Sequence, residues 1–217
     1  MDVNHALQTF AIYALPVLFA ITLHEAAHGY VARHFGDMTA HAQGRISLNP
    51  IRHADVLGTI IVPLIILVLS GGRFLFGWAK PVPVNYSALR KPRQHMAWVA
   101  AAGPGANLVM ALLWALLLKL AVLLPPNFLT VPLRLMSEAG IVVNLVFMFL
   151  NLLPILPLDG GRILASLLPN RVSWHYARLE PLGLPLLLVL LVTNMLSVVL
   201  NPLVDFSASL IRAFVLL

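Results

Sequence analysis

The chain contains no cysteine and only eight acidic residues in 217. The missing cysteine excludes disulfides and thiolate metal sites, and leaves the redox compartment unconstrained. Any metal would have to be held by His, Asp or Glu. Charge of either sign is scarce: 10% of residues are charged, where a soluble domain carries about 25%. Hydrophobic residues reach 60%, and mean hydropathy is +0.90. This composition excludes an ordinary soluble domain and indicates a multi-pass membrane protein whose main partner is the lipid bilayer. There is no internal repeat, low-complexity tract or soluble accessory domain, so residues 1–217 read as one membrane-embedded domain. The first apolar segment lacks a basic leader and contains His24, Glu25 and His28, so it reads as a retained span rather than a signal peptide.

The net charge is +6 and the isoelectric point about 10.3. The basic residues sit in short loops between apolar runs rather than in a solvated patch interleaved with aromatics, which excludes nucleic acid as a partner. A span needs about 20 apolar residues. The sequence predicts an all-α protein with five to six spans: helices over about 6–35, over 95–124 with an interruption at Gly103-Pro104-Gly105, over 133–153 and over 182–200, then a turn at Asn201-Pro202 and a last helix over 203–217. A short helix and a polar loop are expected within 162–180. Residues 72–86 alternate Gly, Pro and apolar residues, which predicts a short β-like membrane-associated loop able to offer an edge strand to an extended peptide. Residues 56–70 are apolar but short. Read as re-entrant, they leave Arg33, Arg45, Arg73, Arg90, Arg162 and the tail at Arg212 on one side, with Lys119 and Arg134 on the other. The tendency of basic residues to stay in the cytoplasm favours that reading over a full span.

The strongest chemical signal is His24-Glu25-Ala26-Ala27-His28. On a helix, positions i and i+4 share a face, so both imidazoles can address one ion. Imidazole nitrogen suits Zn²⁺, and the intervening glutamate can take a proton from zinc-activated water. His and Glu together supply only 11 of 217 residues, and ionisable groups within a span are costly, so chance is a poor account of the cluster. A catalytic zinc needs a third protein ligand. Asp159 follows a long apolar segment within 151–161, Asn-Leu-Leu-Pro-Ile-Leu-Pro-Leu-Asp-Gly-Gly. It reads either as that ligand or as an ordinary helix cap at a membrane boundary.

These two motifs, in this order, resemble the site-2 protease family of intramembrane zinc metalloproteases. Residues 35–60, the Phe-Gly-Trp-Ala-Lys-Pro-Val-Pro-Val-Asn run ending at Asn85, and Ala102–Asn107 resemble its compact prokaryotic branch without PDZ or CBS domains. The likeness covers about residues 15–170. It implies one Zn²⁺ per chain held by His24, His28 and Asp159, Glu25 as catalytic base, and single-span membrane proteins as substrates. It also implies a prokaryotic inner membrane location; the position of His24 near the basic end of its helix opens the site toward the cytoplasm. Asn107, Asn144 and Asn151 read either as interhelical hydrogen-bonding residues or, for Asn151, as a holder of substrate backbone. His53 and Asp55 read as a boundary pair or as support for the site. The rival readings are a non-enzymatic metal-binding membrane protein and a pseudoprotease. The oligomeric state is not legible.

Overall fold

The computed structural model describes residues 3–53, 55–62, 65 and 79–216. Eight α-helices lie among them: α1 (Val3–His34), α2 (Thr39–Ala42), α3 (Pro92–Leu123), α4 (Thr130–Leu152), α5 (Asp159–Leu167), α6 (Asn170–Ala177), α7 (Glu180–Val192) and α8 (Met195–Leu216). Short helical turns occupy Pro50–His53, Val56–Ile61 and Tyr86–Ala88. Four helices, α1, α3, α4 and α8, are long and apolar enough to cross a membrane, and a fifth crossing results if α6 and α7, bent by 60°, act as one.

The centre is an antiparallel α3–α4 hairpin with α1 and α8 packed against it. Ala111, Trp114, Ala115 and Leu118 form one stripe of α3 at helical spacing. They meet Ile141, Leu145 and Met148 of α4, and Val204, Ala208 and Ile211 of α8. The opposite face of α3, with Leu112, Leu113, Leu116, Leu117 and Leu120, stays exposed, as a lipid-facing surface does. Lipid tails are as apolar as leucine, so spans associate through close packing of small residues. Gly140 shows this: a Cβ there would stand 2.3 Å from the Trp114 ring.

The turn between α3 and α4 satisfies its own backbone. Asn127 Oδ1 accepts from the amides of Leu129 and Thr130 at 2.8 and 2.9 Å, and Thr130 Oγ1 accepts from the Asn127 amide at 2.8 Å. Arg134 donates to the carbonyls of Ala121 and Leu124 at 2.8 and 2.9 Å, neutralising the end of α3. Glu138 of α4 pairs with Arg212 of α8 at 2.6 Å.

Several expectations are corrected. Gly103-Pro104-Gly105 does not interrupt α3, which runs unbroken through Pro104. One missing amide is tolerated where neighbouring helices cover the freed carbonyl. Likewise Asn201-Pro202 is not a turn; Pro202 lies inside α8. The break falls at Thr193-Asn194, where Asn194 takes the left-handed conformation at φ 60°, a common helix-ending role for asparagine. Consequently α8 is one continuous helix long enough to cross a membrane, and Arg212 lands beside Glu138 in the first half of α4, away from the basic end expected to hold it. Within 162–180 there are two helices, α5 and α6, in place of one helix and a loop. Of the β-like loop at 72–86, residues 72–78 lie outside the described residues, as does most of 56–70 beyond Val62; residues 79–85 form neither helix nor strand.

Replacing Gly140 by Val should overpack the α3–α4 contact and destabilise the protein by about 1–3 kcal/mol, whereas Gly105→Ala, whose Cβ meets nothing within 4 Å, should be neutral. Thermal unfolding of both variants in one detergent checks this, and equal midpoints would refute it.

Candidate metal centre

Two turns before its end, α1 presents His24 and His28 on one face. Their Nε2 atoms lie 3.1 Å apart. Asp159, the first residue of α5, brings Oδ2 to 3.2 Å from His24 Nε2 and 3.4 Å from His28 Nε2. The chain reaches Asp159 through Pro154 and Pro157, with a cis peptide between Leu156 and Pro157. From the third side, α3 approaches at Gly103, where a Cβ would lie 2.5 Å from both His24 and His28. Any side chain there would displace the imidazoles, so glycine is a geometric requirement. The three ligand atoms form a group that can hold a metal ion, the one such group among the described residues.

Hydrogen bonding decides which imidazole nitrogens are bare. His28 Nδ1 lies 2.7 Å from the Val99 carbonyl, which can only accept, so Nδ1 carries the proton. His24 Nδ1 lies 2.7 Å from Asn107 Oδ1. The orientation of that amide follows from its other contacts: Nδ2 donates to the Ala20 carbonyl at 3.2 Å and to Asn144 Oδ1 at 3.0 Å. Asn144 is oriented in turn by donating Nδ2 to the Gly140 carbonyl at 2.8 Å. A relay across α4, α3 and α1 therefore places the His24 proton on Nδ1. Both Nε2 atoms are left as lone pairs. Asp159 Oδ2 is buried and has no hydrogen-bond donor.

Three acceptor atoms thus converge in a buried space, and two of them belong to imidazoles whose protons are committed elsewhere. A cation resolves this. Nitrogen, nitrogen and carboxylate oxygen suit Zn²⁺, and ligand atoms at 2.0–2.1 Å from a tetrahedral ion stand about 3.3 Å apart, as these do. Glu25 points elsewhere: its Oε2 accepts from the Val82 amide at 2.7 Å and is not among the three converging atoms.

The chain is 41% identical over 194 residues to a Bacillus subtilis protein named "Putative zinc metalloprotease YwhC", covering 88% of this chain and 84% of that one. It is 30% identical over 184 residues to "Putative zinc metalloprotease Rip2" of Mycolicibacterium smegmatis, covering 83% of this chain and 66% of the relative, and the Rip2 of Mycobacterium tuberculosis matches over the same shares. The chain belongs to this zinc metalloprotease family. No family model matches the chain, and no solved structure matches it.

For a zinc metalloprotease, the placement of the remaining candidates is informative. Asn107 and Asn144, both fully buried, form the relay just described. Asn151 donates Nδ2 back to the Phe147 carbonyl at 3.0 Å, one turn earlier on α4. His53 Nε2 donates to the Ser47 carbonyl at 2.7 Å, and Asp55 accepts from the Gly58 amide at 2.8 Å, so these bonds build the 47–58 turns rather than the triad. Sequence reasoning missed three backbone partners: Val82 on Glu25, Val99 on His28 and Gly140 at the end of the relay. A backbone amide or carbonyl carries no side-chain signature, and only the packing of distant segments reveals it.

The relay makes a specific demand on Asn107. Asn107→Leu should lower zinc affinity about 10–100-fold, the usual cost of losing a group that orients a metal ligand. Asn107→Asp, which still accepts from Nδ1, should restore most of it. Chelator competition measures the affinities, and ¹H–¹⁵N imidazole spectra of the zinc-free protein should show His24 losing its Nδ1 proton preference only in the Leu variant.

Proposed function

We propose that this chain is an intramembrane zinc endopeptidase of the site-2 type, cutting single-span membrane proteins within or beside the bilayer. The carrying observation is the meeting of His24 Nε2, His28 Nε2 and Asp159 Oδ2 at 3.1–3.4 Å, with Glu25 adjacent to His24 in the chain and its carboxylate outside the group, held by the Val82 amide. His24, His28 and Asp159 would hold one Zn²⁺ per chain and leave a fourth position open. Bound there, the ion lowers the pKa of water and polarises the scissile carbonyl.

The chain's own groups do the rest. Glu25 takes the proton from the attacking water and returns it to the leaving amine. The Val82 amide holds one carboxylate oxygen, leaving the other to address the water. Asn107, Val99 and Gly140 keep the imidazoles in the protonation pattern that a metal ligand needs. Asn151, half-buried near the end of α4, would engage substrate backbone through its carbonyl oxygen, since Nδ2 is committed to Phe147.

A transmembrane substrate hides its amides in its own helix and must unwind before cleavage. The 72–86 segment is the candidate edge for such a strand, with part of its described backbone already committed. Pro81 and Pro83 have no amide proton, the amides of Lys80, Val82 and Asn85 are committed to His53, Glu25 and Asp37, and Arg45 occupies the carbonyls of Lys80 and Pro81. The helix ends around the triad carry Arg33, Arg93 and Arg162, which supports a site opening toward the cytoplasm from a prokaryotic inner membrane.

Two variants separate this reading from a structural metal site. Asp159→Ala removes a ligand and should lose zinc and cleavage together, by more than the roughly 10–100-fold cost of an outer partner. Glu25→Gln keeps size and polarity but loses the base, so zinc should stay bound while cleavage of a model single-span substrate stops. Metal content and cleavage are measured on both. Full proteolysis by Glu25→Gln would rule out the mechanism.

A further inference from the structure

Between the last turns of α1 and the start of α3 runs an open cavity of about 420 Å³, within the roughly 300–1,000 Å³ range of ligand pockets. Tyr30, Val31 and Phe35 line one wall, and Trp98, Ala101 and Ala102 the other. The two alanines make the groove: a larger side chain at either position would fill it. Tyr30 and Trp98 are both largely exposed at its rim, and such rings favour the depth of lipid headgroups.

His34 also lines the groove, and positive charge gathers at this end. Arg33 and His34 close α1. Arg90 is fixed there, its guanidinium donating to the carbonyls of His34 and Phe35. His95 stacks on Phe35 with ring centroids 4.0 Å apart, and its Nδ1 accepts the Lys91 amide at 3.2 Å. Among the described residues, Arg33, Arg90 and Lys91 pair with no carboxylate. Asp37, the acid nearest in sequence, is buried and spends its oxygens on the amides of Thr39 and Asn85. An apolar slot that opens on uncompensated cations matches one chemistry, an acyl chain carrying an anionic headgroup.

We propose that the α1–α3 groove is a binding site for an anionic phospholipid, with an acyl chain between Tyr30 and Trp98 and the phosphate against Arg90 and Lys91. The proposal rests on the membrane placement of α1 and α3, and not on proteolysis. Basic pockets between spans on the cytoplasmic side are where such headgroups bind.

The test uses the full chain in phosphatidylcholine nanodiscs containing a small fixed fraction of lipid with brominated acyl chains, which quench indole on contact. The Trp98 contribution is obtained by difference against Trp98→Phe. Brominated phosphatidylglycerol should quench Trp98 more than brominated phosphatidylcholine of the same acyl composition. Arg90→Gln and Lys91→Gln should each lower that preference, by about fivefold per charge removed, whereas Arg33→Gln, on the α1 face that looks toward Ile46 and Val82, should leave it unchanged. Ala101→Leu, which fills the slot, should weaken quenching by both lipids. Soluble glycerol phosphate should not relieve the quenching. Equal quenching by the two lipids, or a preference that survives both charge removals, would overturn the proposal. So would relief by glycerol phosphate, which assigns the cations to free phosphate, or displacement by a single-span peptide, which assigns the groove to a protein helix. No readout involves cleavage, so this proposal and the proteolytic reading fail separately.

Discussion

Three lone pairs held within 3.4 Å of one another in a buried space form the constraint on which the rest of the structure depends. A cation among them offsets their repulsion, and each acceptor is also held from behind. His28 is tied to Val99 of α3, and His24 through Asn107 and Asn144 to Gly140 of α4. Asp159 is carried on α5. Four helices must therefore meet closely at one depth, and glycine supplies the room at Gly103. The site's hydrogen bonds are also the contacts that set the register of α1 against α3 and of α3 against α4.

The bilayer adds a second constraint, since buried backbone groups must find partners within the protein. Helices α1, α3 and α8 each contain a proline and continue through it. Arg134 closes the carbonyl end of α3, and Asn127 and Thr130 close the turn that follows. Around Glu25 the same economy holds: the amides of Lys80, Val82 and Asn85 all have partners, and one of these is the catalytic candidate itself. That segment acts as a wall that orients Glu25.

The ends of α1 and α3 concentrate the chain's positive charge close to the triad. The triad thus lies toward the basic end of the molecule, while the far end, with Arg134 and the Glu138–Arg212 pair, is occupied by contacts that hold the helices together.

Much of this was legible in the residues alone. Sparse charge and long apolar runs determined an all-helical membrane protein. The i, i+4 spacing of His24 and His28 determined a shared face, because helical periodicity is local. The rarity of ionisable groups singled out Asp159. Helix boundaries at prolines were misread, since Pro104 and Pro202 break a helix only when nothing else covers the freed carbonyl, and that cover comes from other helices. Asn107 and Asn144 were visible as candidates, but not as a relay. The direction of an amide depends on acceptors 37 and 87 residues away. Only the tertiary structure decided that Asp159 reaches the histidines, that Val82 holds Glu25, and that the bare nitrogens face inward. These are meetings of segments distant in the chain, and they follow from packing rather than from any local pattern.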